Sequence, residues 1–241
     1  MVGETAHRNI DFCHARCVNC IKETVYSPQS SVVVRMSCKL HHPFTAVVAG
    51  PTGSGKSEWV LRLIGHANEM IEPLPSRIWY CYGEFQPTFN NYRQIHFHEG
   101  LPDLSDAVFD SSESTLLILD DLMSETNQLV ANVFTKISHH RNISVVYLTQ
   151  NLFDKNKYAR TISLNAHYLV LFKNPRDASQ FSILAPQMYP SSWKFAEEAY
   201  RDATERPFGY LFVDLKPDQD EGCRLRTNIF PGEMQYVYVR K

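Results

Sequence analysis

Short apolar runs that stop on glycine or on a polar residue recur along this chain, and stretches with apolar residues at helical spacing separate them. PFTAVVAG, starting at Pro43, reads as a buried strand closed by Gly50. SEWVLRLIGHANEM follows, with Val60, Leu61 and Ile64 on one helical face. RIWYCY is strand-like and QIHFH offers a second short strand, while LPDLSDAVF carries a helix start signal at Asp103. TLLILDD is an apolar strand ending in two carboxylates, NQLVANVFTKISHH an amphipathic helix, and ISVVYLTQN the next strand. HYLVLFKN adds a strand, DASQFSILA and SSWKFAEEAYRDA read as helices, and GYLFVDL closes the core. Strands alternating with helices predict an α/β fold with a mostly parallel central sheet flanked by helices on both faces. The same pattern divides the chain into an extension (1–40), a core (41–215) and a tail (216–241). In the tail, LRTNIF and MQYVYVRK read as edge strands or a partner-binding segment.

Composition narrows the classes. With 241 residues and 44% hydrophobic content, the chain can bury one substantial core rather than two. A formal net charge of -2 rules out a polycation, so nucleic acid must be met by a local patch or by a ring that repeats a few residues. No run approaches the ~18 apolar residues of a membrane span. The N-terminal MVGETAHRNIDF lacks the apolar centre of a secretory signal, so the six cysteines are expected as reduced thiols or metal ligands inside a cell.

Three motifs carry chemistry. Gly50-Pro51-Thr52-Gly53-Ser54-Gly55-Lys56-Ser57 matches G-x-x-x-x-G-K-[ST], between a strand and a helix. Its glycines let successive N–H groups turn toward phosphate oxygens at a helix N-terminus. Lys56 is placed to reach the β- and γ-phosphates of ATP, and Ser57 to ligate Mg²⁺. In Leu116-Leu117-Ile118-Leu119-Asp120-Asp121, Asp120 is expected to hold Mg²⁺ and Asp121 to polarise the attacking water. Gln150 ends a third apolar strand, where an amide can contact both the γ-phosphate and that water; the bland alternative is a strand-end glutamine bonded to a loop.

GPTGSGKS, LLILDD and VVYLTQN, in this order and spacing, resemble the FtsK–HerA class of additional-strand P-loop motor ATPases. HHPFTAVVAGPTGSGKS, IWYCYGEFQP, HHRNISVVYLTQN and NPRDASQF together look similar to the genome-packaging ATPases of Polinton and adintovirus-type elements, and more distantly to those of poxviruses. The resemblance covers roughly residues 42–215. It implies a RecA-like sheet in which the Gln150 strand separates the phosphate-loop strand from the carboxylate strand. It also implies a ring, usually a hexamer, that threads double-stranded DNA into a preformed capsid, docked on a capsid or portal-vertex protein where virions assemble. An arginine acting on the neighbouring subunit's ATP is implied near Arg141 and near Arg176. Many relatives carry Asp-Glu where this chain has Asp120-Asp121; if Asp121 is too short, Glu84 is the alternative partner for the water.

Other features stay open. Cys13, Cys17 and Cys20, followed by Cys38 and His41, invite a zinc site of Cys17, Cys20, Cys38 and His41; ordinary reduced cysteines in the extension are the alternative. Lys155, Lys157 and Arg160 lie just past Gln150 and read either as pore residues or as a solvated helix face. A soluble nucleotide kinase or nucleotide-dependent switch is the rival to the motor.

Overall fold

The apolar runs lie side by side in one sheet. The structure is a computed structural model; it describes residues 24–26, 31–34, 38–103, 109, 111–120, 122, 128–137, 141–153, 157–177 and 179–240. The strands are β1 (Thr24–Tyr26), β2 (Ser31–Val34), β3 (Leu40–His41), β4 (Thr45–Ala49), β5 (Ile71–Glu72), β6 (Arg77–Tyr82) and β7 (His96–Glu99). After them come β8 (Thr115–Asp120), β9 (Ile143–Thr149), β10 (Tyr168–Phe172), β11 (Tyr210–Asp214), β12 (Leu225–Thr227) and β13 (Tyr236–Tyr238). The helices are α1 (Lys56–Gly65), α2 (Ala67–Met70), α3 (Gln128–Asn132), α4 (Lys157–Leu164), α5 (Ser179–Met188) and α6 (Trp193–Ala203).

Among the described residues, eleven strands form the main sheet in the order β1-β2-β13-β12-β11-β10-β4-β9-β8-β6-β7. From β10 to β7 all neighbours are parallel. From β10 through β11, β12, β13 and β2 to β1 all are antiparallel. Thus β4, which leads into the phosphate loop, is central, and β9 separates it from β8. This order matches the α/β, additional-strand, RecA-like P-loop fold that the sequence resemblance implies.

Every residue of β4, β8, β9, β10 and β11 is buried, because this central part of the sheet is covered on both faces. Successive side chains alternate between two layers. Val47, Leu117, Val145 and Leu169 meet Phe134, Phe181 and Ala199 on one side. Val48, Ile118, Val146 and Val170 meet Trp59, Leu63 and Phe230 on the other. Burying apolar area at roughly 25 cal/mol per Å² makes these two layers the main stabilising contribution.

Several elements differ in detail from the expected pattern. SEWVLRLIGHANEM breaks at His66, whose backbone leaves the helical region (φ -107°, ψ 18°), into α1 and the short α2. NQLVANVFTKISHH begins as α3 and continues as a π-helix over Val133–Ile137. Residues 104–108 of LPDLSDAVF lie outside the described residues. Segments assigned to the extension and the tail also meet: Val33 pairs with Tyr236 and Ser31 with Tyr238. Among the described residues no helix is long and apolar enough to cross a membrane.

Candidate active site

The phosphate loop is bent by its glycines at three places. Gly53 and Gly55 have φ of 78° and 100°, a region that favours glycine. At Gly50 the reason is space, since a Cβ there would stand 2.7 Å from both Phe172 Cβ and Ser54 Oγ. The Gly50 N–H bonds to the Thr149 carbonyl at 3.1 Å, which ties the loop to the neighbouring strand β9. Gly55 caps α1 without a side-chain acceptor, so the first turn presents backbone N–H groups and the positive end of the helix dipole to the loop.

Three side chains show that this loop suits a polyphosphate. Lys56 Nζ folds back onto the loop's own carbonyls, Gly50 O at 2.7 Å and Pro51 O at 3.0 Å. The Ser54 hydroxyl is buried with no hydrogen-bond partner among the described residues. Ser57 Oγ donates to Asp120 Oδ2 at 2.9 Å, which brings the two expected magnesium ligands together. Phosphate oxygens are acceptors, so they would complete the bonding of Lys56 and Ser54 as well as of the open helix turn.

Asp120 has a further partner that its motif does not reveal. The Tyr80 hydroxyl, from β6, donates to the same Oδ2 at 2.5 Å. Burial, and then the Asp120 charge, hold the Tyr80 phenol far above its ordinary pKa, so it remains a neutral donor. Nothing local in RIWYCY marks Tyr80; only the pairing of β6 with β8 brings it to Asp120.

Gln150 follows β9 directly and is exposed beside the phosphate loop, because Thr149 pairs with Ala49. The turn after it is fixed by Asn151, whose Oδ1 accepts the Phe153 N–H at 2.8 Å. The Leu152 N–H donates to Gln180 Oε1 at 3.0 Å, and Gln180 Nε2 donates to Asp177 at 3.0 Å. The Gln150 turn and the turn holding Arg176 are therefore linked. Gln180 was not singled out in the sequence, since a glutamine on a helix carries no local signal.

The remaining expected residues divide by position. Glu84 is exposed in the turn after β6, and the adjoining Gly83 N–H bonds to the Asp120 carbonyl at 3.2 Å. Asp121 lies outside the described residues. Arg176 is exposed at the phosphate-loop end of β10, and its N–H bonds to Asn174 Oδ1 at 3.2 Å. Arg141 is partly buried at the opposite end of β9 from Gln150, on the order of 20 Å away along the strand. Within one subunit it does not approach the loop.

Of the cysteine and histidine set, Cys17 and Cys20 lie outside the described residues. Cys38 is buried and accepts a hydrogen bond from Arg226 at 3.6 Å, with burial raising its thiol pKa. His41 is exposed on β3. Lys155 is outside the described residues, Lys157 is described in its backbone only, and Arg160 is exposed on α4.

No protein-family model matches the chain, and no curated protein does. Among solved structures, it is similar to the genome packaging NTPase B204 from Sulfolobus turreted icosahedral virus 2 in complex with AMPPCP. That match has 13% identity and a TM-score of 0.49, over 72% of this chain and 93% of that one. The KaiC-like protein PH0186 from Pyrococcus horikoshii OT3 matches with 12% identity and a TM-score of 0.44, over 82% and 90%. The cytoplasmic domain of EssC matches with 11% identity and a TM-score of 0.48, over 90% of this chain and 43% of that one. Likenesses this distant carry no argument about activity.

Proposed function

We propose that this chain is a Mg-dependent ATPase that works as a ring-shaped motor and packages a viral or transposon-derived double-stranded DNA genome into a capsid. The observation that carries the ATPase part is the Ser57–Asp120 hydrogen bond at the mouth of a complete phosphate loop. Bound Mg²⁺ would supply charge to the β- and γ-phosphate oxygens as the terminal phosphoryl group leaves. Ser57 and Asp120 would hold that cation, and Tyr80, bonded to Asp120 Oδ2, would fix the carboxylate in place for it. Lys56 exchanges the carbonyls of Gly50 and Pro51 for phosphate oxygens. Gln150 orients the attacking water, and Asp121 accepts its proton, with Glu84 as the alternative.

The motor part rests on the four sequence segments that resemble packaging ATPases, and on Gln150 standing between the loop and the carboxylate strand. ATP turnover should rise with long double-stranded DNA and the stimulation should fall with salt, as contacts to phosphates release counterions. Base sequence should matter little. A turnover rate indifferent to DNA moves the reading to a nucleotide kinase or switch.

A guanidinium from the next subunit would stabilise the transferring phosphoryl group, worth about 10³–10⁵ in rate. Arg141 and Arg176 are the candidates. Arg176 already stands at the phosphate-loop end, whereas Arg141 requires the neighbour to present the far end of its sheet. Inactive Arg→Ala subunits mixed with inactive Lys56→Ala subunits should recover turnover for the arginine that acts in trans. Mixed rings that stay inactive with both arginine variants refute the trans role.

A further inference from the structure

Phe208 is exposed and strained, and it stands against the phosphate loop. It is 70% exposed. Its φ is 60°, in the left-handed region that a bulky side chain rarely adopts. Outliers of this kind persist where surrounding structure holds them and gather where ligands bind.

What holds Phe208 there is its backbone. At Gly209 a Cβ would stand 2.5 Å from the Ala203 carbonyl and 3.0 Å from that of Arg206, so the turn after α6 closes only on glycine. The Gly209 N–H bonds to Arg206 O at 3.0 Å, and the Thr204 hydroxyl to Tyr200 O at 2.7 Å. Burial of the ring is not the reason for this geometry, since the ring remains mostly in water.

The ring lies against the loop itself. A Cβ on Gly55 would meet Phe208 Cδ1 at 3.3 Å and Phe208 Cβ at 3.7 Å. Phe208 thus rises from the rim of the phosphate cradle, directly before Lys56. A nucleotide whose β- and γ-phosphates fill the loop can lead its ribose and base out over that rim.

We propose that Phe208 is the stacking platform for the base of the bound nucleotide, a reading that rests on nucleotide binding at the phosphate loop. An aromatic face takes any base, and takes the larger purines better than pyrimidines, because every base has a π-face and no hydrogen-bond pattern is read. The site therefore favours purine over pyrimidine triphosphates while separating ATP from GTP only weakly.

The experiment compares binding of Mg-ATP with binding of Mg-tripolyphosphate, which carries the phosphates without a base, on the full chain by titration calorimetry. Phe208→Leu keeps apolar bulk against Gly55 without a π-face, and Phe208→Trp keeps the face. Phe208→Leu should weaken ATP about tenfold and leave tripolyphosphate unchanged. Phe208→Trp should restore ATP affinity, and its added fluorescence should change with ATP and not with tripolyphosphate. An unchanged ATP affinity in Phe208→Leu overturns the proposal, as does an equal loss for both ligands, which would make the ring a prop for the loop. A wild-type chain that binds neither ligand overturns the nucleotide reading itself.

Discussion

Two aspartates end strands of the same sheet at opposite ends, each 6% exposed, and their surroundings differ in kind. Asp214, at the end of β11, has the Arg226 guanidinium 4.0 Å away and accepts the Lys216 N–H at 3.1 Å. The Gln219 amide, in the orientation that satisfies both neighbours, donates to Asp214 at 3.2 Å and accepts from Arg226 at 3.0 Å. Burial nonetheless pushes its carboxyl pKa upward, against the pull of that N–H and of Arg226. Asp120, at the end of β8, receives its hydrogen bonds from the hydroxyls of Ser57 and Tyr80, which are neutral donors. A buried carboxylate paired with a guanidinium in its own chain is part of the framework. One bonded by two hydroxyls at the mouth of a phosphate loop is met by neutral donors instead.

The largest expected effect tests the loop that gives Asp120 its meaning. Lys56→Ala should reduce ATP turnover by about 10³-fold, because a preorganised charge facing the transferring group is lost. Phosphate release at a near-normal rate would sink the assignment of the whole site.

Next come the two aspartate environments set against each other. Asp120→Asn should cost more Mg²⁺ affinity than the roughly 10–100-fold that accompanies loss of a second-shell partner. Its melting temperature should match or exceed that of the parent, since a buried charge has gone. A melting temperature well below the parent's would make Asp120 a framework residue like Asp214.

Arg226→Ala should do the reverse, leaving phosphate-loop binding intact. It strands a buried carboxylate at a cost of about 3–5 kcal/mol, a fall in melting temperature of roughly 6–20 °C for a chain of this size. The loss should also depend on pH. Because the folded-state pKa of Asp214 lies above its unfolded value, ionising it opposes folding, and that penalty shrinks as pH falls toward the unfolded value. The variant should therefore be destabilised more at pH 7.5 than at pH 5. Equal losses at both would show that the guanidinium matters for packing alone.

Much of this site was legible because its chemistry is local. Gly50 to Ser57 is one continuous segment, and the carboxylate and amide that face it each terminate an apolar run. The sheet order followed from the motifs' resemblance, and β9 does separate β4 from β8. What could not be read depends on pairing across the chain. Tyr80 reaches Asp120 only through the register of β6 on β8. Arg226 and Asp214 look like any strand-end charges until β11 and β12 pair. Phe208 belongs to no motif, and its left-handed backbone follows from a turn closed by Gly209. Arg141 taught the converse: a basic residue just ahead of the Gln150 strand is near in sequence, yet the strand carries it to the other end of the sheet.

The pairing of Ser31 with Tyr238 has a consequence in time. A ribosome adding about 5–20 residues per second needs on the order of 10–40 s to pass from one partner to the other. Throughout that interval β2 has no β13 to join, while β4, β8, β9 and β10 can pair with one another as soon as residue 172 has been made. The antiparallel wing is therefore the last part to assemble on a nascent chain, and until then β11 and β12 present open strand edges. Pulse-labelled chains released between residues 172 and 236 should already resist protease across the phosphate-loop half and be cut in the wing.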